Sequence, residues 1–493
     1  MKGTRPNIIF LLTDDQRFNT LGCMGNSEIK TPNIDQLGNE GIVFDSHYNT
    51  TSICMAARAC VMTGMYEHKT GCNFQHGGLS QALFNRSYPA LLRNAGYYTG
   101  FAGKFGFGVH PENPAPSSWH KKEDMPDDQF DWWAGFHGQG NYATKENTHL
   151  KKYAKEYPHL SRALGAAGQD FIKGAAKKGN PFCLSISFKA PHNPVKPDPE
   201  LDHLYEGATF TKPANYGREA GEHFPPQAKS GRQYQKLFNK WNPERYDEAM
   251  AKYYQQISGI DAAIGMLREE LERQGVADNT VIMYATDNGY SCGAHGLGGK
   301  VLPYEEASRS PFILYDPRHS SSGKGHRCGA VTANIDVAPT ILELAGLSIP
   351  SNMDGISLLP LLDNPQKDIR NSLSFTQVWG PYSNHSLTVI TPEWKYIYWN
   401  YGGSGMTPSE ELYNMRMDRL EMHNESHNSD YKDDLEKMRE LYDQHLQRWK
   451  DDCIRAHRYP GHAILADRHI PWSEKAHLVP RKKRGENEDN NDA

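Results

Sequence analysis

Short apolar runs that end abruptly in polar side chains constrain the fold of this chain more than any other feature. The first run, residues 7–12, is rich in β-forming residues and ends in Thr13-Asp14-Asp15. Such runs are typical of strands buried on both faces of a parallel sheet. The carboxyl ends of parallel strands lie at one edge of the sheet, so we expect the polar residues that follow the strands to converge there. Three later runs follow the same rule: 97–101 before Lys104, 182–188 before His192, and 280–286 before Asp287-Asn288.

Helical segments separate the strand-like runs. The clearest has apolar residues three and four positions apart from Ala249 to Leu271, and Gly275 is placed to end it. Shorter helices are predicted over 88–94 and 336–344. Strands that alternate with helices predict an α/β fold, with a large mixed, mostly parallel sheet sandwiched by helices.

The pattern of apolar, polar and proline residues divides the chain into three parts. Residues 1–370 carry the alternating pattern, apart from a proline-rich stretch at about 194–245 that we expect to be an irregular insertion. Residues 371–475 contain short strand-like pieces and a helix at about 431–449, which predicts a small C-terminal α+β subdomain with an antiparallel sheet. Residues 476–493 are expected to form a disordered tail, because few of them are apolar.

Composition and charge exclude several classes of protein. The 493-residue chain has a formal net charge of -5 and no domain-sized basic surface, so we expect no nucleic-acid partner. It has no apolar run long enough for a transmembrane segment. The eight cysteines are scattered and include no Cys-x-x-Cys pair, which argues against a disulfide scaffold and against a zinc ribbon.

Cys54-Met55-Ala56-Ala57-Arg58 stands where a helix is predicted to begin. Cys54 and Arg58 are one helical turn apart, so their side chains share a face. A helix N-terminus offers unpaired N–H groups and the positive end of a dipole, and a guanidinium beside it completes a socket for a tetrahedral anion. The alternative is an ordinary helix with a buried cysteine and a solvated arginine.

Four residues at the predicted sheet edge carry oxygen ligands, and they are Asp14, Asp15, Asp287 and Asn288. Neighbouring carboxylates repel each other unless a cation or a buried partner lies between them. Oxygen ligands suit a hard cation such as Ca²⁺, with Mg²⁺ as a second possibility, and suit zinc poorly.

The pentapeptide 54–58 resembles the Cys-x-Pro/Ala-x-Arg signature of the type I sulfatases, a family of the alkaline-phosphatase superfamily. The resemblance implies that Cys54 is oxidised to formylglycine, by a formylglycine-generating enzyme or an anaerobic sulfatase-maturating enzyme, and that the hydrated aldehyde attacks sulfur. It also implies a Ca²⁺ site made by Asp14, Asp15, Asp287 and Asn288, completed by an oxygen of the modified Cys54. The expected reaction is hydrolysis of a sulfate ester.

Other catalytic residues are implied by the same resemblance. Lys104 and Lys300 lie in glycine-rich segments and match the two sulfate-binding lysines of the family. His192 matches the histidine expected at the bridging ester oxygen, where with Lys300 it would protonate the departing alcohol. Asp287 could assist deprotonation of the attacking hydroxyl, and Arg58 belongs to the signature itself.

Gly106 is a departure from the family pattern. Family members commonly carry a histidine there, and that histidine is assigned to the step that expels sulfate and restores the aldehyde. One interpretation is that another base replaces it, with His110 the nearest in sequence. The other is that the chain turns over slowly.

A sulfated carbohydrate is the expected substrate, such as a glycosaminoglycan, a mucin or an algal glycan. Segment 131–142 combines aromatic and amide side chains suited to stacking on a sugar, although core packing explains its aromatic residues equally well. Residues predicted to contact the sugar are Trp132, His110, His295 and Arg309.

Two rival functions stay open at this point. A phosphonate monoester or phosphodiester hydrolase resembles sulfatases and can use the same modified cysteine. The second rival, motivated by the altered position Gly106, is a sulfoglycan-binding protein without catalysis.

The family resemblance favours a periplasmic or secreted protein whose export signal the sequence lacks, and a cytoplasmic location stays open. A glycan at the Asn49 sequon would crowd the pocket predicted around Cys54, so we interpret the sequon as a chance match, which favours a bacterial source.

Overall fold

A computed structural model describes residues 5–111 and 121–480 of the chain. Its strands are short, and most are fully buried. In chain order they are β1 (Asn7–Thr13), β2 (Ile42–Phe44), β3 (His47–Tyr48), β4 (Leu79–Ser80), β5 (Tyr98–Lys104), β6 (Val109–His110), β7 (Trp132–Phe136), β8 (Phe182–Ser187), β9 (Thr280–Thr286), β10 (Arg309–Ser310), β11 (Ile313–Tyr315), β12 (His326–Cys328), β13 (Thr332–Ala333), β14 (Leu373–Gln377), β15 (Ser386–Ile390), β16 (Trp394–Trp399) and β17 (Ser409–Asn414).

Eight of these strands form the main sheet, in the order β12-β2-β11-β9-β1-β8-β5-β7. The five strands from β9 to β7 are parallel to their neighbours, whereas β11 runs antiparallel to both β9 and β2. The predicted mixed, mostly parallel sheet is therefore confirmed. All four strand-like runs that precede polar residues lie side by side in it, as β9, β1, β8 and β5.

Helices cover both faces of the main sheet. In chain order the helices are α1 (Pro32–Glu40), α2 (Cys54–Thr63), α3 (Glu67–Thr70), α4 (Gln81–Phe84), α5 (Tyr88–Asn94), α6 (Leu160–Ala176), α7 (Pro226–Lys229), α8 (Arg232–Gln235), α9 (Tyr246–Arg273), α10 (Glu305–Ser308), α11 (Val337–Leu344), α12 (Pro360–Asp363), α13 (Lys432–Asp452), α14 (Tyr459–Leu465) and α15 (Trp472–Lys475). The long helix α9 contains the predicted apolar stripe from Ala249 to Leu271, and Gly275 follows its end with a positive φ of 66°.

The alternation of side chains along β1 creates two cores. Ile8 and Phe10 point to one face, where α2, α5 and α11 pack, while Ile9 and Leu11 point to the other face, against α1, α6 and α9. Each leucine or isoleucine that is fully buried in this way contributes about 1.5–3 kcal/mol of transfer free energy. The sheet edge that carries the polar residues thus projects from a rigid, close-packed layer.

The C-terminal region forms the antiparallel sheet β14-β15-β16-β17, and α13 packs on it. Lys395 in β16 is wholly buried, and its Nζ lies 2.7 Å from a carboxylate oxygen of Glu305 and 2.7 Å from one of Glu421. These ion pairs connect β16 of the C-terminal sheet to α10, and α10 begins five residues after Lys300. The domain limits at residues 370 and 475 stay a prediction.

Residues 194–245 contain only short helical turns, including α7 and α8, and no strand is described there. Residues 476–478, at the start of the tail that was expected to be disordered, form a turn of 3₁₀-helix. Residues 481–493 of that tail lie outside the described residues. Within 5–111 and 121–480, no helix is both long and apolar enough to cross a membrane.

Candidate active site

The predicted residues meet at one edge of the main sheet. The four adjacent strands β9, β1, β8 and β5 all end at this edge, because they are parallel. Asp14 and Asp15 follow β1, Lys104 is the last residue of β5, His192 lies in the loop after β8, and Asp287 and Asn288 follow β9.

Cys54 is the first residue of α2, so its side chain lies at the helix N-terminus. The preceding residue, Ile53, is extended and provides no side-chain cap for the helix. All ten residues of α2 are buried, including Arg58, which is 1% exposed. An arginine held this deep is not the solvated residue of an ordinary surface helix, because burying an unpaired charge is very costly.

Arg58 is held by acidic and carbonyl groups from three strands. Its Nε donates to the Asp287 carboxylate at 2.8 Å, and one terminal nitrogen donates to the Lys104 carbonyl oxygen at 2.7 Å. The other terminal nitrogen, Nη2, lies 3.4 Å from Asp14 Oδ2 and has no hydrogen-bond partner. This unsatisfied N–H group leaves Arg58 able to donate to an anion.

Two buried lysines complete the ring of charge around Cys54. Lys104 Nζ donates to Asp14 Oδ2 at 2.5 Å. Lys300 Nζ lies 2.5 Å from Asp15 Oδ1 and 2.7 Å from Cys54 Sγ. The Cys54 thiol in turn donates to Asp14 Oδ1 at 3.2 Å. Three carboxylates and three cations therefore balance each other within one buried site.

These neighbours shift the protonation of the site. Burial raises the pKa of Asp14, but the Lys104 ammonium and the other cations outweigh burial and hold that pKa well below its usual range. Burial, with the Asp14 charge, raises the pKa of Asp287 to about 6. Burial likewise raises the pKa of the Cys54 thiol, so the unmodified thiol is a poor nucleophile here.

Several of these groups could hold a metal ion. Ligand atoms of Asp14, Asp15, Cys54 and His192 all lie within 4.8 Å of one another. The Asn288 amide nitrogen donates to Asp15 Oδ1 at 2.6 Å, whereas its oxygen Oδ1 is buried without a hydrogen-bond partner. A buried acceptor of this kind, beside two carboxylates, suits a hard cation.

A cavity of about 510 Å³ opens over Asp15 and Lys300. His192 lines it, with Nε2 3.8 Å from Asp15 Oδ2, and burial lowers the pKa of His192 to about 4. The Tyr142 hydroxyl donates to the His192 carbonyl oxygen at 2.6 Å and so fixes the histidine loop. His192 is therefore held as a neutral imidazole at the mouth of the site.

The sequence analysis missed several residues of this cavity. Gln139 accepts a hydrogen bond from Lys104 Nζ at 2.6 Å, and Lys189 is 3% exposed and lines the cavity wall. Segment 131–142, which was predicted to contact a sugar, does contribute to the cavity. The residues that line the cavity include Gln139 and Tyr142 of this segment and neither of its tryptophans. Lys189 lies three residues before His192, and that position was its only sequence signal.

The four residues predicted to contact a sugar all lie outside the lining of this cavity. Trp132 starts β7, opposite Gly100, and packs on Phe171 at the far end of the strand from the site. His110 lies in β6, with Nδ1 3.5 Å from an Asp124 carboxylate oxygen.

His295 and Arg309 occupy buried structural positions. The His295 nitrogens lie 3.0 Å from the Asn215 amide nitrogen and 3.0 Å from the Ala220 carbonyl oxygen. Arg309 lies in β10, with its guanidinium over the Phe18 ring. Both residues are close to Lys300 in sequence but lie outside the cavity lining.

Two glycines shape the strand end that carries Lys104. A Cβ on Gly103 would lie 2.0 Å from the Ser187 carbonyl oxygen, so only glycine lets β5 approach β8 here. Gly106 has φ +92°, and a Cβ there would lie 2.5 Å from Arg58 Cδ. The Arg58 side chain therefore occupies the space that a side chain at position 106 would take.

Comparison with known proteins agrees with this geometry. The family model described as Sulfatase matches residues 6–347. This chain belongs to the sulfatase family. The model described as N-sulphoglucosamine sulphohydrolase, C-terminal, matches residues 293–448. The chain is thus a sulfuric ester hydrolase by family, and the second match covers all four strands of the C-terminal sheet.

Relatives of this sulfatase include enzymes named for sugar substrates. An N-acetylglucosamine-6-O-sulfatase of Bacteroides thetaiotaomicron is 27% identical, over 91% of this chain and 87% of the relative. Human N-acetylglucosamine-6-sulfatase is 30% identical over 73% of this chain and 64% of the relative. A solved structure described as a complex with its substrate D-glucosamine-2-N,6-O-disulfate has a TM-score of 0.76 and 25% identity, covering 91% of this chain and 99% of that one. Phosphonate monoester hydrolase of Agrobacterium radiobacter, at 20% identity and a TM-score of 0.72 over 90% and 96% of the chains, shares the fold.

Gly106→Ala tests whether this glycine shapes the sulfatase site. We expect it to lower the rate of sulfate release about tenfold or more, because the added Cβ displaces Arg58 from Asp287 and Lys104. It should also lower the free energy of unfolding by about 1–2 kcal/mol, the cost of a positive φ for alanine. Initial rates and urea unfolding measure the two effects.

Gly96→Ala is the matched control for this substitution. Gly96 has φ +89°, but a Cβ there meets no atom within 4 Å. It should show the same loss of stability and no loss of rate. Equal rates for the two variants would contradict the role given to the contact between Gly106 and Arg58.

Proposed function

We propose that this chain hydrolyses sulfate esters of a sulfated carbohydrate at the site around Cys54. One observation carries the proposal: Lys300 Nζ contacts both Cys54 Sγ and the Asp15 carboxylate, so the modifiable residue lies between an anion-binding cation and the candidate metal ligands. The catalytic residues we propose are Cys54, Arg58, Lys104, His192, Asp287 and Lys300.

Cys54 is proposed to act after conversion to formylglycine. The hydrated aldehyde would supply a hydroxyl nucleophile that the unmodified thiol cannot replace. Two features would stabilise negative charge on the modified side chain. The N-terminus of α2 has no side-chain cap, and Lys300 Nζ lies within hydrogen-bonding distance of the Cys54 side chain. Maturation by a formylglycine-forming enzyme is thus a requirement of the proposal.

We propose that Asp14, Asp15, Asp287 and Asn288 hold a Ca²⁺ ion, with Mg²⁺ as the alternative. A bound cation would neutralise a sulfate oxygen and acidify the attacking hydroxyl. The orphaned Asn288 Oδ1 and the paired carboxylates of Asp14 and Asp15 support this donor set. Lys104 and Lys300 now contact those carboxylates, so a cation would compete with them and free their ammonium groups for sulfate.

Arg58, Lys104 and Lys300 are proposed to hold the sulfate group. All three are at most 5% exposed, so their attraction for an anion is little screened by water. Asp287 holds Arg58 in place, and once the cation has taken over Asp14 and Asp15 the two lysine ammonium groups would face the sulfate before the reaction begins. Fixed cations of this kind stabilise charge that develops in a transition state.

Lys300 is the favoured donor of a proton to the departing alcohol. Burial lowers the Lys300 pKa, but the charge of Asp15 outweighs burial and raises it while the two groups are in contact. Release of Lys300 from Asp15 by the cation would lower that pKa and make the ammonium a better acid. His192 is neutral near pH 7, because burial lowers its pKa. We therefore propose that His192 orients the bridging ester oxygen while Lys300 supplies the proton.

A sulfated sugar is the proposed substrate class, supported by the names of the relatives and by the polar cavity. Gln139, Asn141, Asn193 and Gln233 line the cavity and offer amide groups for sugar hydroxyls. Glycan substrates favour a periplasmic or secreted enzyme. The phosphonate monoester hydrolase shares the fold. Release of sulfate from a sulfated sugar would distinguish the proposed enzyme from the binding-protein alternative that Gly106 motivated.

Replacing Lys300 tests the proposed chemistry. Lys300→Met should lower the rate of sulfate release from a sulfated monosaccharide by about a hundredfold or more, because it removes both a transition-state cation and the proposed acid. Lys173→Met, a change at an exposed lysine of α6, should leave the rate unaltered. In heavy-oxygen water the label should enter sulfate, since the bond to sulfur breaks. Faster hydrolysis of the matched phosphate ester, or label in the alcohol, would contradict the proposal.

Calcium should stabilise the folded protein through the proposed ligands. At a concentration one hundred times its dissociation constant, a bound ion adds about 2.7 kcal/mol to the free energy of unfolding. We expect Ca²⁺ to raise the melting temperature of the wild type, and Asp15→Asn to abolish the rise. Asp170→Asn, at a half-buried surface ion pair, should keep it. An equal rise in both variants would place the ion elsewhere.

A further inference from the structure

The wall of the cavity beyond the proposed sulfate position is strongly basic. Four cations line it in addition to Lys300, and they are Lys189, Lys196, Arg232 and Lys240. Among the described residues of the lining, Asp15 is the one carboxylate, and it is paired with Lys300. The whole chain has a net charge of -5, so this concentration of positive charge is local.

Lys189 is the buried member of this group. It is 3% exposed, and its Nζ lies 5.1 Å from the centroid of the Tyr142 ring. Within the described residues, its ammonium has no carboxylate at ion-pair distance. Burial and the Lys104 charge lower the pKa of Lys189 to about 8. A buried ammonium without an acid partner is costly unless a ligand supplies the negative charge.

The other three cations come from the irregular insertion. Lys196 and Lys240 are exposed at the rim, and each has no carboxylate partner among residues 5–111 and 121–480. Arg232 begins α8, and its guanidinium lies 5.2 Å from the Trp379 ring centroid. The insertion therefore adds cations to the lining of the cavity that also contains Lys189, and the space of about 510 Å³ is large enough for a sugar.

We infer that the cavity binds a second anionic group of the substrate, a sulfate or a carboxylate, beside the sulfate that is cleaved. The buried Lys189 contacts this anionic group directly. Lys196, Arg232 and Lys240, in the insertion, attract it through their positive charge. The substrate class is thus a sugar with at least two anionic groups, and a cationic alcohol is disfavoured. This inference rests on the proposed function and specifies its substrate.

Three substrates test the inference, all with the same cleavable sulfate. The first carries no other charge, the second carries a further sulfate, and the third carries a neighbouring uronic acid carboxylate. We expect kcat/KM of the wild type to be about tenfold or more higher for one or both dianionic substrates, since a hydrogen bond to a charged group contributes about that factor. The preferred dianion identifies the second group. High salt should reduce the preference.

The variants compare the preference, which is the ratio of dianionic to monoanionic kcat/KM. Lys189→Met should bring the ratio close to one, while Lys189→Arg should retain part of it. Lys240→Met and Arg232→Met should lower it about two- to fivefold, as expected for partly exposed charges. Lys177→Met, at an exposed lysine after α6 on the opposite edge of the sheet, is the control that keeps the ratio.

The results that would overturn the inference differ from those that would overturn the proposed function. Equal kcat/KM of the wild type for all three substrates, or an unchanged ratio in the Lys189, Arg232 and Lys240 variants, overturns the second anion site and leaves sulfate hydrolysis standing. Absence of sulfate release from every substrate overturns the proposed function, and the inference with it. The rim variants keep the test valid if Lys189→Met fails to fold.

Discussion

Charge compensation at one sheet edge is the constraint on which the rest of the structure depends. Three carboxylates, Asp14, Asp15 and Asp287, lie buried beside the cations Arg58, Lys104 and Lys300. Any one of these charges alone would be expelled from the interior, because desolvation costs several kcal/mol for each ion. Together they bring the carboxyl ends of β9, β1 and β5 to the N-terminus of α2, and they leave a site that has cations ready for an anion.

Gly106 shows how the same constraint acts on a neighbouring position of the chain. Arg58 needs room to reach Asp287 and the Lys104 carbonyl, and its aliphatic part occupies the space that a side chain at position 106 would take. In this chain a side chain at position 106 would displace Arg58 from these contacts. His110, the base suggested by the sequence, lies against Asp124 and outside the cavity lining.

The sequence predicted the fold, and it predicted which polar residues lie together at the sheet edge, because both depend on local patterns. Apolar runs with polar ends identified β1, β8 and β9, and topology then brought Asp14, His192 and Asp287 together. The sugar contacts were less predictable: Trp132 shares a segment with Gln139, but the sequence does not show which residue of a loop turns toward a cavity. Lys189 and Arg232 line the cavity and were missed for the same reason, since the sequence does not show that the loop after β8 and the insertion line one cavity.

The central claim is that Cys54 is the residue that reacts, in modified form. The most direct measurement is the mass of the peptide that contains Cys54, taken from the same preparation whose sulfate release is measured. The account predicts a residue that has lost sulfur and two hydrogens and gained one oxygen, in a fraction that rises and falls with the activity. Full activity in a preparation whose Cys54 is entirely unmodified would contradict it.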